Sequence, residues 1–103
     1  MLWLKRKHSV KLSYGAGQIR TDFLHGIIQQ LIVVPNNENT IWSLRILDSE
    51  QDVIYQIVDH VGRLDDRNGV PVGMDQQERL TIDIYDSTAN ENFDLILKVR
   101  EGL

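Results

Sequence analysis

The chain has 103 residues, 42% apolar and 25% charged, the make-up of one folded domain with a modest core and not of a disordered, collagenous or low-complexity segment. It holds no cysteine, which removes disulfides, thiolate metal sites and thiol nucleophiles together. The net charge of −4 is unevenly spread: residues 1–20 carry five cations and no acid, and the remainder carries six cations and fifteen acids.

The chain opens on apolar Leu2-Trp3-Leu4, followed by the cationic run Lys5-Arg6-Lys7. So short an apolar opening is not a secretory leader, which needs roughly 7–15 apolar residues after its charges. The longest apolar-rich run, 27–34, is far short of the roughly 20 residues that span a bilayer, so no membrane is expected as a partner. Residues 1–8 read as a basic arm ahead of a single domain over 9–103. Leu2, Trp3, Leu4, Lys5, Arg6 and Lys7 are the candidate partner-binding residues of that arm. Tryptophan is a common interface anchor, and the cations would steer an acidic partner or the acidic body of a second copy. The competing arrangement folds Trp3 back onto its own sheet as an extra edge strand.

Residues 8–14 read as a strand closed by Gly15-Ala16-Gly17. Residues 21–34 carry two patterns. Phe23, Leu24, Ile27, Ile28, Leu31 and Ile32 fit a helical stripe that Thr21 or Asp22 would cap. Gly26 and the β-branched run Ile32-Val33-Val34 before Pro35 favour a strand, and the neighbouring strands decide for a strand over 26–34. Next, alternation over 40–47 buries Trp42, Leu44 and Ile46. Asp48-Ser49-Glu50-Gln51 turns, and 52–58 returns with Val53, Tyr55 and Ile57 on one face, forming a hairpin. Residues 62–71 are the longest loop. Val70-Pro71-Val72 is a short edge strand, because proline cannot donate to a central ladder. Finally, Leu80, Ile82 and Ile84 alternate with Thr81, Asp83 and Tyr85, and Phe93, Leu95, Leu97 and Val99 repeat the pattern after a polar turn over 87–92. These two runs read as a second hairpin. The fold class is therefore all-β, an antiparallel β-sandwich of jelly-roll or Ig-like type with about seven to eight short strands.

Little in the chain carries chemistry. Gly15-Ala16-Gly17 begins like a dinucleotide fingerprint, but Arg20 stands where the third glycine belongs and no βαβ unit follows. His8, His25 and His60 match no metal spacing. Asp65, Asp66, Asn68 and Gly69 offer oxygen ligands and a glycine turn, yet they lack the alternating ligands and closing glutamate of a calcium loop. Tight turns use the same residues. No serine stands in a nucleophile elbow. No catalytic residue, cofactor, metal or small-molecule substrate is expected. Trp42 is expected to fill the core. Ile41 beside Trp42, Val53 beside Ile54, and Ile27 beside Ile28 put apolar groups on both faces of their strands, which points to a homo-oligomer.

Read in order, the chain shows an apolar strand ending in Pro35, then the strand 42–47 with its Asp48-Ser49-Glu50-Gln51 turn, and Val53-Ile54-Tyr55. A loop holding Gly62, Val70-Pro71-Val72, Leu80-Thr81-Ile82 and the strand 93–100 follow. This succession is similar to the small β-sandwich structural proteins of tailed bacteriophages, which decorate capsids, close necks or build tail parts. The resemblance implies a non-enzymatic virion component, made in the host cytoplasm, whose partners are further copies of itself and other virion proteins. An acidic body disfavours nucleic acid as the main partner. Two other readings stay open: a ligand-binding sandwich such as a carbohydrate-binding module, and a small nucleic-acid-binding protein using the basic arm.

Overall fold

The computed structural model describes residues 2–73 and 77–101, the side chains of residues 2 and 3 excepted. Among these residues the alternating pattern forms nine strands and no helix. They are β1 (Leu2–Lys11), β2 (Gly17–Leu24), β3 (Gly26–Pro35), β4 (Ile41–Leu47), β5 (Val53–Val61), β6 (Leu64–Asp66), β7 (Val70–Val72), β8 (Glu78–Tyr85) and β9 (Asn92–Glu101).

Two antiparallel sheets result. The first runs β1-β9-β3-β6, with β7 also on β3, and the second runs β2-β8-β4-β5. β6 pairs with Leu31, Ile32 and Val33, whereas β7 pairs with Gly26, Ile27 and Ile28, so the two short strands share one position. Each sheet then has four positions, filled by strands that alternate between the layers along the chain except at the β4–β5 hairpin, which stays in the second sheet. That order is the jelly roll, two interlocked Greek keys, and it decides against the Ig-like alternative.

The inward rows explain the packing. Leu80, Ile82 and Ile84 of β8 and Phe93, Leu95, Leu97 and Val99 of β9 are all fully buried, as are Trp42, Leu44 and Ile46 of β4. Trp42 meets Phe93 edge to face at 5.7 Å between ring centroids, and its indole N–H donates to the Gly62 carbonyl at 2.8 Å. A buried indole needs such an acceptor.

Three expectations are corrected. β8 and β9 are not a hairpin. They lie in different sheets, and their apolar faces meet across the core. The connection between them arches over one end of the sandwich, where Ser87 N–H donates to the Gly15 carbonyl and Thr88 N–H to the Ile41 carbonyl. Residues 1–8, read as an arm ahead of the domain, are from Leu2 onward the first part of β1, paired with β9 from Leu2↔Glu101 to Lys11↔Asn92. Pairing satisfies the backbone groups along β9, and Leu4 and Val10 add apolar side chains to the core side. Val53, expected inward, is half exposed, because the register shifts between Ile46 and Leu47.

Other expectations match. The strand over 26–34 is β3, held by β9 on one side and by β6 and β7 on the other. Gly26 is required there: its φ is +136°, and a Cβ would overlap the Arg100 carbonyl oxygen. The β4–β5 hairpin closes through Asp48, whose Oδ1 accepts from the N–H groups of Glu50 and Asp52, both at 2.9 Å.

Candidate interaction surface

The jelly roll has two lateral sides. One is bounded by the edge strands β1 and β2, the other by β5 and the β6/β7 position. Neither side is covered by a further strand among the described residues, and an open strand edge offers unpaired N–H and C=O groups to a partner.

β1 divides the six candidate partner-binding residues by strand parity. Leu4 and Arg6 turn toward the second sheet with His8 and Val10, while Lys5 and Lys7 are exposed on the outer face. The side chains of Leu2 and Trp3 lie outside the described residues. Arg6 Nε is 3.7 Å from Asp22 Oδ2 of β2 and has no hydrogen-bond partner among the described residues, and His8 Nε2 is likewise buried without one among them. The Arg6–Asp22 pair spans the gap between the two edge strands. Asp22 is mostly exposed, so the pair adds little stability.

On the outer face of the first sheet, Lys5 stands directly opposite Lys98, and Arg100 occupies the same face one step further along β9. Among the described residues none of Lys5, Lys7, Lys98 and Arg100 takes part in an ion pair. Like charges facing each other across a ladder are unfavourable. Beside them, Lys7, His8, Ser9, Asp94, Leu95 and Ile96 line a shallow cavity of about 310 Å³. Its charged lining is the Lys7 ammonium and the Asp94 carboxylate.

The opposite side is acidic and apolar. Val53, Val58 and Val61 of β5 are at least half exposed, and Ile41 pairs with Val61 on the same outer face. The acids near this edge are held by short contacts. Asp66 Oδ2 accepts from the Tyr55 hydroxyl at 2.7 Å, and its Oδ1 accepts from Asn68 N–H at 2.9 Å and Asn68 Nδ2 at 2.7 Å. Burial, helped by the Asp66 hydrogen bond and charge, pushes the Tyr55 phenol well above its ordinary value. Asp65 Oδ1 accepts from Gln30 Nε2 at 2.8 Å and from Arg67 Nε at 3.3 Å. Those two hydrogen bonds, Gln30 first, hold the Asp65 carboxyl below its ordinary value. The loop's carboxylates therefore serve as turn and strand acceptors, and no group of three metal-ligand side chains occurs among the described residues.

The remaining candidates fall apart spatially. Gly15-Ala16-Gly17 is part of a tight turn: Ser13 and Ala16 exchange two backbone hydrogen bonds around Tyr14 and Gly15, both at positive φ. That is type I′ geometry. His60 stands edge-on to Trp42 at 5.2 Å, and its Nε2 donates to the Arg63 carbonyl at 2.8 Å. His8 lies on β1 and His25 between β2 and β3, so the three imidazoles form no shared site.

Sequence reasoning missed β2 and its irregularity. The register breaks between Arg20 and Phe23, so Thr21 is buried and accepts from Leu80 N–H at 2.9 Å, while Phe23 turns outward. Phe23 is 60% exposed under the Arg79 guanidinium, and Tyr14 at the turn tip is 98% exposed. Both exposed aromatics thus belong to the β1/β2 side. No family model matches the chain, and no curated protein matches it.

Proposed function

We propose that the chain is a non-enzymatic assembly protein, a virion component of a tailed bacteriophage that decorates the capsid or forms a head–tail or tail part. It acts by self-association and by docking on a larger structure. The observation that carries this reading is the distribution of exposed apolar side chains. Phe23 lies on the edge strand β2 and Val53, Val58 and Val61 on the edge strand β5, with Tyr14 in the β1–β2 turn and Ile41 of the inner strand β4 paired to Val61 on the outer face. Edge backbone with adjoining apolar side chains is how sandwiches add a neighbour. The virion part rests on the order of sequence features and accords with the jelly roll, an architecture shared by capsid and lectin domains. Sedimentation velocity across concentration and salt tests the assembly reading: reversible or stable multimers support it, and a strict monomer overturns it.

A second reading rests on the outer face of the first sheet. Lys5, Lys7, Lys98 and Arg100 form a cationic strip whose Lys5–Lys98 juxtaposition an anion would relieve. This supports a nucleic-acid-binding role, for which a salt-sensitive affinity for a short duplex in a monomeric protein is the test.

A further inference from the structure

We propose that copies of the chain join side by side in one direction, the β1/β2 side of one copy seating on the β5/β6 side of the next. The inference rests on the self-association reading above and specifies its geometry and its residues.

Strand direction comes first. In the first sheet β1 is antiparallel to β9, β9 to β3, and β3 to β6 and β7, so β1 runs opposite to the strands at the far edge. In the second sheet the same count makes β2 run opposite to β5. A neighbour placed laterally in the same orientation therefore meets both edges antiparallel. Each sheet continues across the junction in the geometry it already uses.

Charge selects this contact over a self-matched one. Residues 2–24, which build the β1/β2 side, hold five cations and one acid. Residues 48–72, which build the other side, hold six acids and two cations. Joining the two sides pairs opposite fields, whereas two β1 edges would set Lys5 and Lys7 against their own copies.

Apolar side chains also correspond by end of the sheet. Ile19, Ile82, Ile46 and Tyr55 form one row across the second sheet. Phe23 lies beyond that row toward the Val53 end. Tyr14 lies at the opposite end, where Gly15 and Ile41 both hold the 86–91 connection and Ile41 pairs with Val61. Each exposed aromatic of the cationic side thus has an exposed aliphatic toward the same end of the sheet on the acidic side. Unlike surfaces in contact make a heterologous junction, which closes into a ring or extends as a filament.

Two one-sided variants test it. The first is Lys5→Glu/Lys7→Glu/Phe23→Ser, and the second is Asp52→Lys/Val58→Ser/Val61→Ser. All six positions are exposed, and circular dichroism checks the fold. Sedimentation velocity should show each variant alone associating at least about tenfold more weakly than the parent chain. An equimolar mixture should form a 1:1 dimer that grows no further, because each copy supplies the one side its partner lacks. If only the first variant loses association, or if mixing restores nothing, the two sides do not meet and the inference is overturned. Variants that associate like the parent overturn the inference but leave the assembly reading standing. A parent chain that stays monomeric at its highest soluble concentration overturns both. Should a triple variant fail to fold, Phe23→Ser and Val61→Ser alone are read in the same way.

Discussion

The indole N–H of Trp42 donates to the carbonyl of Gly62 at 2.8 Å, which ties the start of β4 to the loop leaving β5. The ring is fully buried between Phe93 and His60, so bulk and hydrogen bond act at one place. Trp42→Phe removes part of the bulk and leaves the carbonyl without its donor. The expected loss is about 2–4 kcal/mol of unfolding free energy. Urea unfolding measures it, and the denaturant slope should stay unchanged.

Gly26 is a second point of high sensitivity. β3 passes β9 there so closely that a Cβ meets the Arg100 carbonyl oxygen, and φ lies in a region that side chains avoid. Gly26→Ala is expected to cost at least about 3 kcal/mol, combining backbone strain with displacement of the β3–β9 ladder. Gly69 also has a positive φ, but a Cβ there would stand 3.6 Å from Ile27 in ordinary contact. Gly69→Ala should therefore destabilise less than Gly26→Ala in the same urea series.

These two sites show what was legible in the sequence and what was not. Period-2 alternation marks Leu80, Ile82, Ile84, Phe93, Leu95, Leu97 and Val99 as inward, and all seven are fully buried. Alternation says which face a side chain takes but not which strand lies alongside, so β8 and β9 read as a hairpin although they close the sandwich from opposite layers. β2 was hidden because its bulge breaks the alternation at Thr21 and Asp22. The six candidate partner residues formed one block in sequence, and the pleat of β1 sends Lys5 and Lys7 to one face and Leu4 and Arg6 to the other. Alternation over 53–58 sets Val58 on the face opposite Tyr55 and Ile57, but Val61 faces outward only because the β4–β5 register shifts between Trp42 and Leu44, which nothing local marks.

The Lys5–Lys98 juxtaposition gives a prediction of opposite sign. Replacing Lys98 by Glu turns a repulsive cross-strand pair into an attractive one on a solvated face. Lys98→Glu should raise stability by about 0.5 kcal/mol at low ionic strength, a gain that shrinks as salt is added. Thermal melts at two salt concentrations check it. If the cationic strip binds a polyanion, the same variant should weaken that binding while making the fold more stable, which separates a binding role from a structural one.

Tyr55 and Asp66 predict the behaviour at high pH. The phenol is half-buried and donates to the Asp66 carboxylate at 2.7 Å, so ionising it would bury a second negative charge against the first. Its pKa in the folded chain is raised above the ordinary 10.0 by burial, then by the hydrogen bond and charge of Asp66. A raised pKa means that the folded chain holds the proton more tightly than the unfolded one. The associated stability is therefore fully present below pH 10 and is lost as the pH climbs above it. Phenolate absorbance should show a phenol that ionises above that range, only as the protein unfolds. Tyr55→Phe should abolish this late step and flatten the alkaline loss of stability. At neutral pH it should cost about 1–2 kcal/mol, the lost hydrogen bond to a carboxylate that keeps its Asn68 donors. An alkaline stability profile identical in the parent and Tyr55→Phe would show that this hydroxyl does not couple folding to pH.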